Sequence, residues 1–379
     1  MTSTPTELDR EITGEVKTRR GFIKGAAAAS VAAAVAAPTV VRAQDAIVWK
    51  FQSTWPAKDI FHEYAQDYVN RVNEMAGDRL KIDLLPAGAV AKPLELQDAV
   101  IAGTLDGGHG VTAYWFGKNK AASLFGTPPA FGWTANQMLG WVKYGGGQEL
   151  YTELVQNILG LDLVGFLTGP MPTQPLGWFK APIESADQFK NMKYRTVGLS
   201  ADLFTELGAA VTILPGGEIV PALEKGLLEG AEFNNPSSDR LLGFPDVSKD
   251  YMLQSYHQSA ECFEIIFNRT RFNELGADLQ ALLRYAAESA SADMSWKAMD
   301  RYSKDLEALQ SEQGVKVHKT SDAILEAQLA AWDKVIAKYS ADAFFAKVID
   351  SQKSWAKRVV SAQFQIEVAQ SPAYKHFFG

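Results

Sequence analysis

Short apolar segments alternate with amphipathic helical patterns from residue 46 onward, and this alternation limits the folds open to the chain. The helical segment 60–75 carries apolar residues every three or four positions and ends before Gly77. Parallel strands need crossover helices between them, so a βαβαβ order with short connections predicts an α/β domain with a largely parallel sheet. The predicted elements are strand 46–52, helix 60–75, strand 80–86, helix 94–102 and strand 105–111.

The middle of the chain repeats this pattern, and the remainder is mostly helical. A serine at position 200 is a plausible N-cap for a helix that ends near Gly208. Two α/β units with trailing helices predict a two-lobed α/β fold with a ligand cleft between the lobes and a long C-terminal helical segment. Further predicted strands are 161–166, 176–179, 192–196, 211–214, 231–233, 262–268 and 313–318, and the last helix is 344–369.

Charge and cysteine content exclude several classes of protein. The chain has 37 Lys and Arg residues against 44 Asp and Glu residues, so its net charge of −7 disfavours nucleic-acid binding. Its single cysteine, Cys262, excludes an intrachain disulfide and a thiolate zinc site. The five histidines are scattered and form no metal-binding pair at helical spacing.

Residues 1–43 have the order of an export signal: a basic segment, an apolar stretch and a cleavage site. Arg19 and Arg20, followed by Gly21 and Phe-Ile-Lys, resemble the twin-arginine translocation motif. The alternative is a membrane anchor, but the 17-residue run 25–41 is rich in alanine and short for a span. We expect a cleaved signal, a mature chain starting near Gln44, and a periplasmic protein.

The usual catalytic motifs do not occur in the sequence: it has no Gly-x-Ser-x-Gly elbow, no P-loop and no His-Glu-x-x-His. Three polar residues near predicted strand ends suggest binding instead. Arg195 can hold a carboxylate with two parallel hydrogen bonds, while Gln174 and Glu232 offer hard oxygen ligands for sodium or calcium. On pattern alone, a surface salt bridge for Arg195 and an ordinary exposed acid for Glu232 are the simpler interpretations.

Several segments, in order along the chain, resemble the substrate-binding proteins of TRAP transporters. A Lys-x-Arg strand, a Leu-Gly, an Ala-Leu-x-x-Gly helix and an acidic loop follow one another between residues 191 and 232. Other segments are similar to the 2-oxoacid-binding branch of that family. The first group is 191–196, 207–208, 218–226 and 229–232, and the second is 125–132, 144–147, 174–179 and 241–244.

The resemblance implies a periplasmic-binding-protein fold that closes on an organic acid, with Arg195 gripping the substrate carboxylate. It also implies one bound cation, sodium or calcium, that bridges substrate and protein. Its matching ligands here are the Gln174 side chain, the Glu232 carboxylate and the Phe233 carbonyl. The sequence departs from that branch at 234–238 and 171–173, and Asn234 is a candidate for an added hydrogen bond to the ligand.

The expected ligand is a small 2-oxo or 2-hydroxy monocarboxylate. Trp55 and Tyr114 are candidate pocket walls, although aromatic residues more often belong to a core. The protein is expected to be a receptor and not an enzyme. Its expected protein partners are membrane-embedded transporter subunits. The alternative is an exported enzyme acting on small carboxylates, for which His109 is the candidate base. A sensor domain is a third possibility, which the absence of any segment beyond Gly379 disfavours.

The expected domain bounds follow from the order of the elements. Segment 344–379 carries many apolar side chains, which favours a homodimer through this helix, while packing against its own lobes is the alternative. The expected divisions are signal 1–43, lobe 1 from 44–167 with 259–312, lobe 2 from 168–258 with 313–343, and the C-terminal helix 344–379.

Overall fold

The computed structural model describes residues 46–379, so the export signal predicted for 1–43 lies outside the described residues. Two β-sheets organise this part of the chain, and helices cover them. The strands are β1 Ile47–Ser53, β2 Leu80–Leu85, β3 Gly107–Gly110, β4 Leu163–Met171, β5 Gly177–Phe179, β6 Lys193–Arg195, β7 Ala210–Thr212, β8 Gly230–Ala231, β9 Asp250–Leu253, β10 Glu261–Asn268 and β11 Lys316–Lys319.

The first sheet has the strand order β2-β1-β3-β10-β4. Strand β1 runs parallel to both β2 and β3, which confirms the parallel sheet that the βαβαβ pattern predicted. Strand β10 enters antiparallel between β3 and β4. Every residue of β10 is buried, because β10 is an inner strand of the sheet and helices cover both faces there.

The second sheet has the order β11-β9-β5-β8-β6-β7. Strand β6 pairs in parallel with β7 and β8, whereas β5 is antiparallel to β8 and β9. Two segments connect the sheets near the site described below: 172–176, between β4 and β5, and 254–260, between β9 and β10.

Fourteen α-helices lie within residues 46–379. The longest, with 35 residues, is about 50 Å long at 1.5 Å per residue. The helices are α1 Ile60–Ala76, α2 Leu96–Ile101, α3 Ser123–Gly126, α4 Ala135–Tyr144, α5 Gly147–Thr152, α6 Leu199–Glu206, α7 Gly216–Glu224, α8 Pro236–Leu242, α9 Phe244–Val247, α10 Arg269–Glu274, α11 Ala277–Ser311, α12 Asp322–Tyr339, α13 Ala343–Ile366 and α14 Gln370–Phe378.

Apolar packing joins the elements of the two sheets at the centre of the molecule. Trp55 and Phe61, which follow β1, pack in one buried cluster with Trp178 of β5 and with Phe233, which follows β8. The ring centroids of Phe61 and Phe233 lie 5.9 Å apart. Helix α11 contacts β4 of the first sheet, helix α1, which follows β1, and helix α8, which follows β8. These contacts bring the two sheets together over the site described below.

Helix α6 begins two residues earlier than an N-cap at Ser200 would place it, so Ser200 is not its N-cap. The cap is Gly198, whose φ of 62° favours glycine. A Cβ at this position would lie 2.5 Å from Oγ of Ser123, so only glycine fits against α3. The hydroxyl of Ser200 instead donates to the carbonyl of His257 at 2.8 Å.

The C-terminal segment forms two helices, α13 and α14, rather than one continuous helix. The first part of α13 packs against its own chain, with Phe345, Val348 and Ile349 buried. Its last turn and α14 instead expose apolar side chains. The exposed residues are Phe364, Ile366, Val368, Tyr374, Phe377 and Phe378. Across residues 46–379, the helices lack the combination of length and apolar character that crossing a bilayer requires.

Candidate functional site

Arg195 and Glu232 meet at the ends of two neighbouring strands of the second sheet. Strands β6 and β8 pair in parallel, with Arg195 opposite Ala231, so the next residue of the second chain segment lies beside the guanidinium. Nη1 of Arg195 donates to Oε1 of Glu232 at 2.9 Å and to the Glu232 carbonyl at 3.0 Å. Both side chains are buried, at 1% and 0% exposure, so the simpler expectation of an exposed salt bridge is wrong.

The guanidinium is held from a second side. Nε and Nη2 of Arg195 donate to the carbonyl oxygen of Leu214 at 2.9 and 2.6 Å. A guanidinium has five N–H groups, so one of them, on Nη2, remains for another acceptor. The ring of Phe233 lies 5.7 Å from the guanidinium carbon, which places an aromatic wall beside the charge.

Gln174 and Asn234 converge on a second buried acid, Glu261. Nε2 of Gln174 donates to Oε2 of Glu261 at 2.8 Å, and Nδ2 of Asn234 donates to the same oxygen at 2.5 Å. The side-chain oxygen of Asn234 accepts from Asn235 at 3.0 Å. One N–H of Asn234 therefore remains for a ligand, in line with the hydrogen bond expected of it.

Burial dominates the titration of the two acids. It raises the pKa of Glu232 to about 7, although the charge of Arg195 pulls this pKa down. It also raises the pKa of Glu261 to about 7, against the hydrogen bonds from Asn234 and Gln174. Removing a carboxylate from water without full compensation is unfavourable, so both acids favour an additional positive partner.

Several buried polar atoms around these residues have no hydrogen-bond partner within residues 46–379. They include Oε1 of Gln174, Oε2 of Glu232, the hydroxyl of Tyr114 and both side-chain polar atoms of Gln258. Buried polar groups in folded proteins nearly always have partners, so such a concentration indicates a ligand. Two of these atoms are the oxygens that the sequence analysis assigned to the cation, and carboxylate and amide oxygens suit sodium or calcium.

Among the described residues, no three Asp, Glu, His or Cys side chains converge as a metal-binding group. A cation at this site would therefore depend on amide and carbonyl oxygens and on oxygens of the bound acid. The residues present fit that requirement: Gln174 and Glu232 offer free oxygens, and Phe233 is buried directly after Glu232.

Tyr114 lies near Arg195, Glu232 and Glu261. Trp55 contacts the ring of Tyr114. Burial, together with the charges of Glu261 and Glu232, raises the pKa of Tyr114 to about 12 despite the opposing charge of Arg195. The rings of Trp55 and Tyr114 are 5.8 Å apart. The indole N–H of Trp55 donates to Nδ1 of His109 at 2.9 Å, so Trp55 has only apolar surface left to offer.

His109, the base named for the enzyme alternative, is a buried acceptor. Its Nδ1 accepts the indole N–H of Trp55, and its ring packs 5.5 Å from Phe263. Burial lowers the pKa of His109 to about 3, so the imidazole is neutral. These contacts are those of a histidine with a structural role, which is also the simpler interpretation of a single isolated histidine.

Glu261 and Gln258 belong to this site, but sequence reasoning missed them. Strand β10 is antiparallel to β3, so its first residues lie at the edge where β3 ends. The carboxyl ends of parallel strands carry the ligand sites of α/β sheets. Glu261 directly precedes the predicted strand 262–268. Its charge could have indicated a site residue only if the direction of that strand had been known.

The chain matches the family model described as bacterial extracellular solute-binding protein, family 7, DctP, over residues 51–342. A monocarboxylate 2-oxoacid-binding periplasmic protein of Nostoc sp. is 30% identical over 319 residues, covering 82% of this chain and 84% of the relative.

Two solved structures share the fold at comparable sequence identity. A TRAP periplasmic solute-binding protein from Pseudoalteromonas atlantica, with bound sodium and pyruvate, is 29% identical. Its TM-score is 0.81, with 88% of this chain and 100% of that chain covered. One from Colwellia psychrerythraea, with bound calcium and pyruvate, is 27% identical with a TM-score of 0.80 and the same coverage.

The family match covers most of the described chain, and the Nostoc relative is similar along most of both sequences. The family that the sequence motifs predicted is thereby confirmed, together with its two-sheet α/β fold. This chain belongs to family 7 of the bacterial extracellular solute-binding proteins, the DctP family of TRAP transporter substrate receptors.

Proposed function

We propose that this protein is a receptor that binds a small 2-oxo or 2-hydroxy monocarboxylate together with one sodium or calcium ion. It would hand the acid to membrane-embedded TRAP transporter subunits and would not transform it. The relatives named for 2-oxoacids or solved with pyruvate support this ligand class.

The observation that carries the proposal is the unpartnered oxygen on each of two buried side chains: Glu232, which pairs with Arg195, and Gln174, which contacts Glu261. Oε1 of Gln174 and Oε2 of Glu232 have no donor in hydrogen-bond geometry, although the Thr196 hydroxyl lies near the Glu232 carboxylate and lowers its pKa. A ligand carboxylate alone would give these two oxygens no donor. It would also bring a second negative charge next to the Glu232 carboxylate. A cation supplies the positive charge that lets these acceptors and the acid share one site.

Each residue then has a defined task. Arg195 donates its remaining N–H, and those released from Glu232, to the ligand carboxylate. Gln174 and Glu232 turn their free oxygens to the cation, with the Phe233 carbonyl as the third protein ligand. Asn234 donates to a ligand oxygen, while Tyr114 and the apolar face of Trp55 close the pocket against water.

Calorimetric titration of pyruvate into metal-stripped protein tests this proposal. We expect little heat without added cation and clear binding once sodium or calcium is present. Saturating ligand at about 100 times its dissociation constant should also stabilise the protein by about 2.7 kcal/mol. Turnover of pyruvate would argue for the enzyme alternative. If no small carboxylate bound under any cation condition, the receptor function would be contradicted.

We also propose export to the periplasm through the twin-arginine route. The support is the Arg19-Arg20 pair before a mild apolar stretch, in a family described as extracellular. Replacing both arginines with lysine should leave unprocessed precursor in the cytoplasm. Normal processing of this double variant would contradict the route.

The lobe bounds remain a proposal, with 44–167 and 259–312 in lobe 1 and 168–258 and 313–343 in lobe 2. The strands of the first sheet fall in lobe 1 except for the end of β4, which runs on to Met171. The strands of the second sheet fall in lobe 2. With these bounds the chain would cross between the lobes at 167–168, 258–259 and 312–313, and Gln174 would lie a few residues beyond the first crossing.

We propose a homodimer in which the C-terminal helical segment packs on a second copy of the chain. Its support is the exposed apolar surface of α13 and α14: Phe364 is 80% exposed and Phe377 is 73% exposed. Light scattering should give the dimer mass for the native protein, and Phe364→Asp with Phe377→Asp should give the monomer. Leu227→Asp, at an apolar residue 63% exposed elsewhere, is the control that should stay dimeric. A monomer mass for the native protein would reject the dimer.

A further inference from the structure

His257 is a buried histidine with one ring nitrogen that lacks a partner. It lies in segment 254–260, which joins β9 to β10, and it is 0% exposed. Its Nδ1 lies 2.5 Å from the hydroxyl oxygen of Ser255, whereas its Nε2 has no hydrogen-bond partner within residues 46–379. Buried polar atoms nearly always have partners, so this nitrogen indicates a ligand atom.

The surroundings of His257 place it at the site of the proposed function. The next residue, Gln258, accepts the backbone N–H of Gln174 with its carbonyl oxygen at 3.0 Å. The His257 ring packs 5.5 Å from the ring of Phe204 on α6, the helix that follows the Arg195 strand. Burial, together with the charge of Arg195, lowers the pKa of His257 to about 3. The imidazole is therefore neutral and lies on the Arg195 side of the site.

The hydrogen bonds of Ser255 determine which ring nitrogen carries the proton. Nε2 of Gln328, on α12, donates to Oγ of Ser255 at 2.9 Å. Oε1 of Gln328 lies 3.1 Å from the same hydroxyl, but it already accepts the backbone N–H of Tyr256 at 2.7 Å. The hydroxyl hydrogen of Ser255 therefore goes to the nearer acceptor, Nδ1 of His257. A neutral imidazole has one N–H, so the proton is on Nε2, and Nε2 is a donor.

A bound carboxylate would need such a donor. It has about four lone-pair positions, and those that face away from the cation lose their water when the ligand is buried. Arg195 has one N–H left for them, because Leu214 and Glu232 accept the others. A neutral N–H on the same side adds a second donor without adding charge to the site.

We propose that His257 is a further ligand-binding residue, which donates from Nε2 to the carboxylate of the bound acid beside Arg195. Ser255 and Gln328 are the positioning residues that keep the ring proton on Nε2. This inference rests on the proposed function and adds a contact to the binding of the acid, independently of which cation is bound.

Nuclear magnetic resonance of protein with isotope-labelled histidine tests the tautomer. The ring signals that disappear in His257→Gln identify this residue. In the native protein they should show a protonated Nε2 and an unprotonated Nδ1 around neutral pH, and adding pyruvate with a saturating cation should shift the Nε2 signal. A proton on Nδ1, or an Nε2 signal that pyruvate does not move, would overturn the inference.

Calorimetric titration of pyruvate, at saturating calcium and separately at saturating sodium, measures the contribution of this donor. His257→Phe keeps an aromatic ring but has no N–H, so pyruvate affinity should fall about 10–100-fold, the usual effect of losing a hydrogen bond to a charged group. His257→Gln should lose less, because its amide N–H can reach about the position of Nε2.

His318→Gln is the matched control, because His318 lies in the same proposed lobe but bonds to Asp250 at 2.8 Å and is 29% exposed. It should bind pyruvate as the native protein does. Because His257→Phe removes a buried polar group, its melting curve should be recorded beside the titration, and the resonance test on the native protein does not depend on that variant folding.

The outcomes separate this inference from the function on which it rests. If the native protein binds pyruvate with a cation and a folded His257→Phe variant binds it equally well, the proposed function stands and this inference is wrong. A larger loss in His257→Gln than in His257→Phe would also contradict a donor at this position. If the native protein binds no pyruvate under any cation condition, the proposed function fails and this inference falls with it.

Discussion

Arg195→Ala is expected to lose about 2–5 kcal/mol of affinity for the bound acid, a fall of about 30-fold to several thousandfold. The buried ligand carboxylate would lose its countercharge, and Glu232 would be left buried without its ion-pair partner. Arg195→Lys keeps the charge but not the planar fork that Leu214 and Glu232 hold, so affinity should fall sharply but less than in the alanine variant.

Because the same substitution also removes contacts of the ligand-free protein, calorimetric titration should be paired with a melting curve. Arg240→Ala is a matched control: Arg240 forms an ion pair with Asp305 on the second-sheet side, at 33% exposure. It should bind the acid normally. Unchanged affinity in a folded Arg195→Ala variant would remove Arg195 from the site.

Glu232→Gln is expected to weaken the cation and the acid together. Each is part of the other's binding site, and the coupling between two bound ligands is reciprocal. The ion pair with Arg195 makes this test sharper, because the two explanations of Glu232 predict opposite signs. If Glu232 were only a competitor for Arg195, its neutralisation would release the guanidinium and raise the affinity for the acid.

Titrations of the acid in the presence and absence of calcium or sodium distinguish these signs. Glu229→Gln is the control, since Glu229 is exposed three residues earlier and accepts from the Lys193 amide. It should behave as the native protein does. Stronger acid binding by Glu232→Gln, or full acid affinity in metal-stripped native protein, would contradict a cation at this position.

The elements that could be predicted from the sequence are those whose type follows from the local pattern of side chains. Strands β1 and β10 are apolar runs, and α1 shows helical spacing with Asp59 as its cap. The start of α6 was wrong because its determinant is tertiary: Gly198 packs against Ser123, 75 positions away in the sequence. No local pattern reports such a contact.

The site divides in the same way. Arg195, Gln174 and Glu232 were named from motifs, and the structure brings them and Asn234 into one buried region. The pairing of Arg195 with Glu232 depends on β6 lying beside β8. The position of Glu261, which accepts a hydrogen bond from Gln174, depends on β10 running antiparallel to β3. Strand neighbours and directions are properties of the whole fold, so residue spacing could not reveal either contact.

The unpartnered oxygens of Gln174 and Glu232 also bear on how an empty receptor is told from a loaded one. A buried polar atom without a partner costs about 1–3 kcal/mol, and several such atoms share this region. In a ligand-free molecule that penalty favours an opened conformation, where water hydrates the same atoms. Under the proposed function, the conformation of the receptor would itself report whether a ligand is bound, and the transporter subunits would not need to contact the ligand to reject an empty receptor.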